Sequence, residues 1–229
     1  MAMPVPLFVT PTTLEGAAVR KALGPALAAG LVRLELCGVG EQNAAGFCKQ
    51  LNSERTSSLV LLGLAGGLIP GLPVGKVIIA SSVLRTGKPE IACFPLEIDD
   101  SLNGSILTSP VALLTPTQKQ AASNDGAIAV EMEAYSLAAW ALENNLPFIH
   151  GRVILDPLEE TLPDTGSFLD SSGKLHWKLL LNLAICHPGL VISLIRVYSR
   201  ARALDPVLGN LALNCLQATK ENSRLIQSN

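Results

Sequence analysis

The chain has 229 residues, ample for one domain and not enough to require two. Lys+Arg 17 against Asp+Glu 19 leaves it nearly neutral, which excludes a basic stripe for nucleic-acid phosphates and a polybasic dock for a membrane. At 48% hydrophobic, 16% charged and 4% aromatic, aliphatic and small side chains are expected to fill the interior, as in buried parallel sheets.

The N-terminal run MAMPVPLFVT has no basic segment and carries two prolines, so it reads as a first strand over Leu7–Thr10 rather than a signal peptide. An amphipathic run from Thr13 to Leu23 follows, then a strand over Leu31–Gly38 and a helix over Glu41–Asn52. Ser58–Gly63 is a continuous apolar strand that ends in glycines. Further strands are predicted at Lys76–Ser81, launched from the turn Pro73–Gly75, and at Ile91–Phe94. Residues 99–116 read as loop; Ala127–Val130 is a strand, Glu133–Asn144 a helix and Pro147–Leu155 a strand. After a loop at Pro157–Gly173, residues 174–218 read as two or three apolar helices broken at His187-Pro188 and Asp205-Pro206. Their stripes (Leu179, Leu180, Leu183; then Leu190, Val191, Leu194, Ile195) are expected to cover the sheet, and residues 219–229 to form a frayed polar tail.

This alternation predicts a single α/β domain over 1–229, with a mostly parallel sheet and helices on both faces. Ligands bind such sheets beyond the carboxyl ends of the strands. The five cysteines and three histidines (His150, His176, His187) are scattered without metal-ligand spacing, so no metal and no disulfide framework is expected. No stretch reaches the roughly 20 apolar residues of a membrane span. A reduced, cytoplasmic setting is the expectation.

Four segments carry chemistry. In Val130-Glu-Met-Glu133, two carboxylates, Glu131 and Glu133, stand at a strand-to-helix junction. Glu133 would lie near helical N–H groups that favour its anion, and such a carboxylate can accept from two vicinal hydroxyls, as holding a ribose requires. A plain acidic first turn explains the same residues. The strand FIHGRVIL is read as apolar except for Arg152, then delivers Asp156 at its end, where an ordinary Asp-Pro turn is the alternative. The glycines of Gly63-Leu-Ala-Gly-Gly67 let backbone approach a flat ligand, or simply make a tight turn. Glu15 follows the strand LFVT, and Thr12-Thr-Leu-Glu15 also fits a helix capping box. Gly38-Val-Gly40 lacks the third glycine of a dinucleotide fingerprint, because position 43 is Asn, so no NAD site is expected there.

The stretches LFVTPTTLEGAAV, CGVGEQNAA, LGLAGGLIPGLPVGKVIIAS, AVEMEAYSLAAWALENNLPF and GRVILDP, in this order, resemble the purine nucleoside phosphorylase / methylthioadenosine–adenosylhomocysteine nucleosidase superfamily. ILTSPVALLTPTQK, LDPLEETLP and the proline-broken C-terminal helices further resemble its hopanoid-associated nucleosidase subgroup; the N-terminal pattern is also similar to futalosine hydrolase. The resemblance implies a three-layer α/β/α fold with a central, mostly parallel twisted mixed sheet, plus the apolar C-terminal helices. It implies that Asp156 protonates or hydrogen-bonds purine N7 as the base leaves. Glu133 would bind the ribose 2′- and 3′-hydroxyls, with Met132 packing on the sugar and Glu131 beside it. Glu15 would orient the attacking water, with Arg152 near it, and Leu64, Ala65 and Gly66 would lie beside base and sugar.

Two departures shape the expected activity. Phosphorolytic members resembling this chain have an arginine on the strand before the glycine loop, whereas SLVLLG offers no cation for a dianion. Hydrolysis is therefore expected over phosphorolysis, with phosphorylase and non-catalytic nucleoside binding as the competing readings. Leu64 replaces a small hydroxyl residue common in methylthioadenosine nucleosidases, which suits a greasier 5′ substituent such as that of adenosylhopane. No cofactor is implied. By analogy with relatives that share an active-site rim across a dimer, a homodimer is expected.

Overall fold

The apolar run after Thr56 builds the centre of the molecule. The computed structural model describes residues 3–163 and 188–227. In chain order these form β1 (Val5–Thr10), α1 (Thr13–Ala28), β2 (Arg33–Leu36), α2 (Glu41–Cys48), a 3-10 turn at Ser53–Arg55 and β3 (Thr56–Gly67). Then come β4 (Val77–Leu84), β5 (Ile91–Ala92), β6 (Ser101–Thr108), α3 (Pro116–Ser123), β7 (Ala129–Glu131), α4 (Ala134–Glu143) and β8 (Phe148–Asp156). Two helices follow, α5 (Pro188–Ala203) and α6 (Asp205–Gln227). The expected helical start at 174, the stripe Leu179, Leu180, Leu183, and His176 and His187 lie outside the described residues.

β3 alternates its side chains between two helical layers, as strand geometry demands. Leu59 and Leu61 join Leu7 and Val9 of β1 against Ala44 of α2 and Leu137, Ala138 and Ala141 of α4. Val60 and Leu62 join Phe8, Ile149 and Val153 against Ala18, Val19 and Leu23 of α1 and Leu208, Leu211, Ala212 and Cys215 of α6. Each Val, Leu, Ile or Phe among them, fully buried, contributes about 1.5–3 kcal/mol. The result is the expected three-layer α/β/α arrangement around a mixed, mostly parallel sheet.

The sheet is less open than alternation alone suggests. β3 pairs in parallel with β1 and β8, and its last residues Gly66 and Gly67 pair antiparallel with Val130 and Ala129 of β7. β7 continues through β6 and β4, and β4 pairs back onto β8. The pairing therefore closes a ring, β3-β7-β6-β4-β8. A register shift opposite Ala65 and Gly66 frees the end of β3 for its second partner. The strand expected to end at Gly63 runs on to Gly67, so the tight-turn alternative for residues 63–67 falls away; glycines without Cβ allow the bend and the close approach.

Other expectations are corrected in the same way. The passage 99–116 holds β6, which pairs with β4 along most of its length. The second helix stops at Cys48 rather than Asn52. In α5 only Leu194 of the expected stripe is buried, whereas Ile195 is exposed. No tail frays at Thr219: α6 runs to Gln227, and Thr219 is buried. Among the described residues no helix is long and apolar enough to cross a membrane.

Candidate active site

The carboxyl ends of β1, β3, β7 and β8 converge on one cleft of about 200 Å³. Glu15, Leu64, Ala65, Gly66, Glu131, Met132, Glu133, Arg152 and Asp156 all line it, which brings together the nine residues to which the resemblance gave a place in the site. Pro11, Thr12, Val39, Val111, Leu113 and Leu162 complete much of the wall.

Glu15 is delivered by the start of α1. Thr12 is the N-cap, and Thr12 N and Oγ1 donate to Glu15 Oε2 at 3.0 and 2.5 Å, so the capping box forms. Glu15 Oε1 accepts from the backbone N–H of Leu64 at 2.7 Å. One carboxylate thus caps a helix, ties α1 to β3 and faces the cleft.

Arg152 is the hub. Strand alternation places it two residues after His150 on one face of β8, and both are fully buried. Its Nε donates to His150 Nε2 at 2.9 Å, and NH1 donates to the Leu64 carbonyl at 3.2 Å. NH2 reaches Glu131 Oε2 at 2.5 Å and Glu133 Oε2 at 3.2 Å. Burial works against the guanidinium charge, but Glu131 and Glu133 outweigh it and hold Arg152 ionised. For His150, burial and then the Arg152 charge push the pKa well below the usual range. The imidazole is therefore neutral; with Nε2 accepting, its proton sits on Nδ1.

The two glutamates divide their work. Glu131 Oε2 accepts from the backbone N–H of Glu133 and of Ala134, each at 2.9 Å, and Glu131 Oε1 accepts from Thr108 Oγ1 at 2.6 Å. Glu131, not Glu133, satisfies the first turn of α4. Glu133 occupies the N-cap position with no side-chain capping bond, accepting instead from Gly40 N at 2.8 Å. Gly38 and Gly40 both have positive φ, and that turn aims the Gly40 N–H at Glu133. The expectation that the helix start would favour the anion of Glu133 is corrected: burial, then Glu131, raise its pKa to about 7.

Asp156 ends β8 almost fully buried. Desolvation raises its pKa, opposed by the ammonium of Lys119, which forms an ion pair with Asp156 Oδ2. Lys119 is 0% exposed and also donates to the carbonyls of Pro157 at 2.7 Å and Glu160 at 3.1 Å. Sequence reasoning missed Lys119 and the role of His150. Thr115-Pro-Thr-Gln118 is a capping-box signature that would have revealed α3, and the box forms. The spacing of His150 and Arg152 by two on an apolar strand was the other available signal.

Chemically, the cleft offers a buried acid, a carboxylate pinned at its other side and an acceptor able to take hydroxyl protons. Among the described residues no grouping of His, Cys, Asp or Glu side chains could hold a metal ion.

No protein-family model matches the chain, and no curated protein does. Solved structures do. The 5′-methylthioadenosine/S-adenosylhomocysteine nucleosidase of Helicobacter pylori superposes with a TM-score of 0.66 at 10% identity, covering 97% of this chain and 100% of that one. Futalosine hydrolase of Helicobacter pylori gives 0.67 at 9% identity, over 94% and 100%. The S-adenosylhomocysteine nucleosidase of Streptococcus pyogenes gives 0.57 at 18% identity, over 92% and 98%. The chain therefore shares the fold of these nucleosidases and of futalosine hydrolase.

Proposed function

We propose that the chain is a nucleosidase that hydrolyses the N-glycosidic bond of a purine nucleoside, adenine being the base released. The observation that carries this reading is the convergence of Asp156, Glu15 and Glu133 on one cleft at the strand ends. Cleavage of this bond creates an oxocarbenium-like sugar and a poor leaving group. A positioned acid and a positioned water lower the two barriers, as paired carboxylates do in glycoside hydrolysis.

In this reading Asp156 donates to N7 of the departing base; its raised pKa favours the protonated form that donation needs. Glu15 accepts a proton from the attacking water. Glu133, with Met132 beside it, takes the ribose hydroxyls. Arg152 holds Glu131 and Glu133 in place, and four of its five N–H donors are already engaged with protein.

Hydrolysis is favoured over phosphorolysis by charge. Glu15, Glu131, Glu133 and Asp156 line the cleft with Arg152 as the only cation in its wall among the described residues. A phosphate dianion would enter a partly desolvated cleft whose one lining cation, among the described residues, is already paired with Glu131 and Glu133. The apolar residues Val39, Leu64, Val111, Leu113, Leu155 and Leu162 in the same wall favour a greasy 5′ substituent, and adenosylhopane is the substrate this reading extends to. Likeness to enzymes of the fold supports the class of reaction.

The test is adenine release from a panel of 5′-substituted adenosines, a hopanoid-linked one included, with and without phosphate. Release independent of phosphate, fastest with the most apolar substituent, is expected. Strict phosphate dependence with ribose 1-phosphate as product would make the chain a phosphorylase. Binding without turnover of any nucleoside would make it a non-catalytic member of the fold.

A further inference from the structure

Lys119 has no place in the chemistry described so far, yet it is a fully buried cation brought against Asp156 from α3, a helix none of whose residues lines the cleft. A lysine is rarely enclosed unless each of its donors is answered. Here the three acceptors are Asp156 Oδ2 and the carbonyls of Pro157 and Glu160. All three belong to the end of β8 and the loop it runs into. Asp156 Oδ1 has no donor among the described residues. Lys119 thus ties the Asp156 carboxyl, on the cleft wall, to the loop that follows β8.

We infer that Lys119 is a positioning residue for Asp156, holding its carboxyl by a direct ion pair at the wall of the cleft where the departing base would stand. This rests on the reading of Asp156 as the acid, but the physical link can be measured without it. The other charged groups near Asp156 are Glu160 on the loop after β8 and Arg200 of α5, and these two pair with each other at 2.6 Å. Neither touches Asp156, so Lys119 is the charge with direct hold on it. Burial alone would make Asp156 an acid too weak to release its proton readily; the ammonium opposes that drift.

The experiment is a titration of the Asp156 carboxyl by carbon-13 NMR in protein labelled at its seven aspartates, the resonance assigned by its loss in Asp156→Asn. Wild type, Lys119→Arg and Lys119→Met are compared, with kcat and KM profiles on the nucleoside they best cleave. Lys119→Met is expected to move the Asp156 titration up by about one to three pH units, the range for losing an adjacent opposite charge. The alkaline limb of kcat should move with it while KM changes little, and Lys119→Arg should restore most of both. An unmoved titration in Lys119→Met overturns the proposal. If Lys119→Met fails to fold, Asp156→Asn added to it should restore folding by removing the unpaired carboxylate. Failure of that rescue means Lys119 is only a strut for the two carbonyls, which also overturns it. A wild type that releases no base would refute the proposed function while the titration still reads the Lys119–Asp156 link.

Discussion

Glu15, Glu131, Glu133 and Asp156 share one cleft, and the surroundings give each a different charge cost. Glu131 is compensated by two backbone N–H groups, a threonine hydroxyl and Arg152, whereas Glu133 has one N–H and a longer contact to the same arginine. Burial and Glu131 accordingly raise the Glu133 pKa to about 7, above the roughly 4.3 of an unfolded glutamate. The folded state thus binds this proton more tightly than the unfolded one. Its stabilising contribution is full below about pH 4.3 and is lost as pH rises to about 7. Glu133→Gln should remove that loss. Urea unfolding across this window should show the wild type falling relative to the variant, and parallel curves would contradict the assignment. The acidic pair was visible in the sequence, but the division of labour within it was not. Which carboxylate meets the N–H groups of α4 depends on the angle at which β7 enters the helix.

At the scale of elements, the site exists because α1, β3 and β8 pack closely at Gly63. A Cβ there would lie 2.7 Å from Glu15 Oε1 and closer still to the Arg152 guanidinium. Neither group can yield without breaking its bonds to Leu64. Gly63→Ala should therefore cost about 1–3 kcal/mol as an overpacking change, with a disproportionate loss of activity. Gly46 in α2 has open space around its Cβ position, and Gly46→Ala should instead stabilise by about 0.5–1 kcal/mol. Thermal unfolding of the two variants side by side checks both signs; equal effects would show that Gly63 is not the meeting point. Strands with strong apolar runs, such as Ser58–Gly63 and Pro147–Leu155, were legible because burial on both faces writes itself into composition. β6 was not, since Ser101, Asn103, Gly104 and Ser105 leave half of it polar. Lys119 was illegible for another reason: its partners lie 37 and more residues away, and a lysine in a short polar helix looks like surface.

For the whole molecule, two layers of helices press a ring-closed sheet whose strand ends open on a single cleft rich in carboxylates. The C-terminal helices belong to this packing: α6 covers the α1 face, and Arg200 of α5 reaches the Leu155 carbonyl and Glu160, close to Asp156. Such an arrangement suits protonating a leaving base and directing a water, and it suits phosphate poorly. General acid catalysis of this kind accounts for roughly 10²–10⁴-fold in rate. The most direct measurement is adenine release by wild type and Asp156→Asn at saturating nucleoside in phosphate-free buffer, with nucleoside binding followed in parallel. Turnover by the wild type, reduced by about 10²–10⁴-fold in the variant with binding retained, is the predicted result. A variant that turns over as fast as wild type would contradict the account, since it would leave the departing base without its acid.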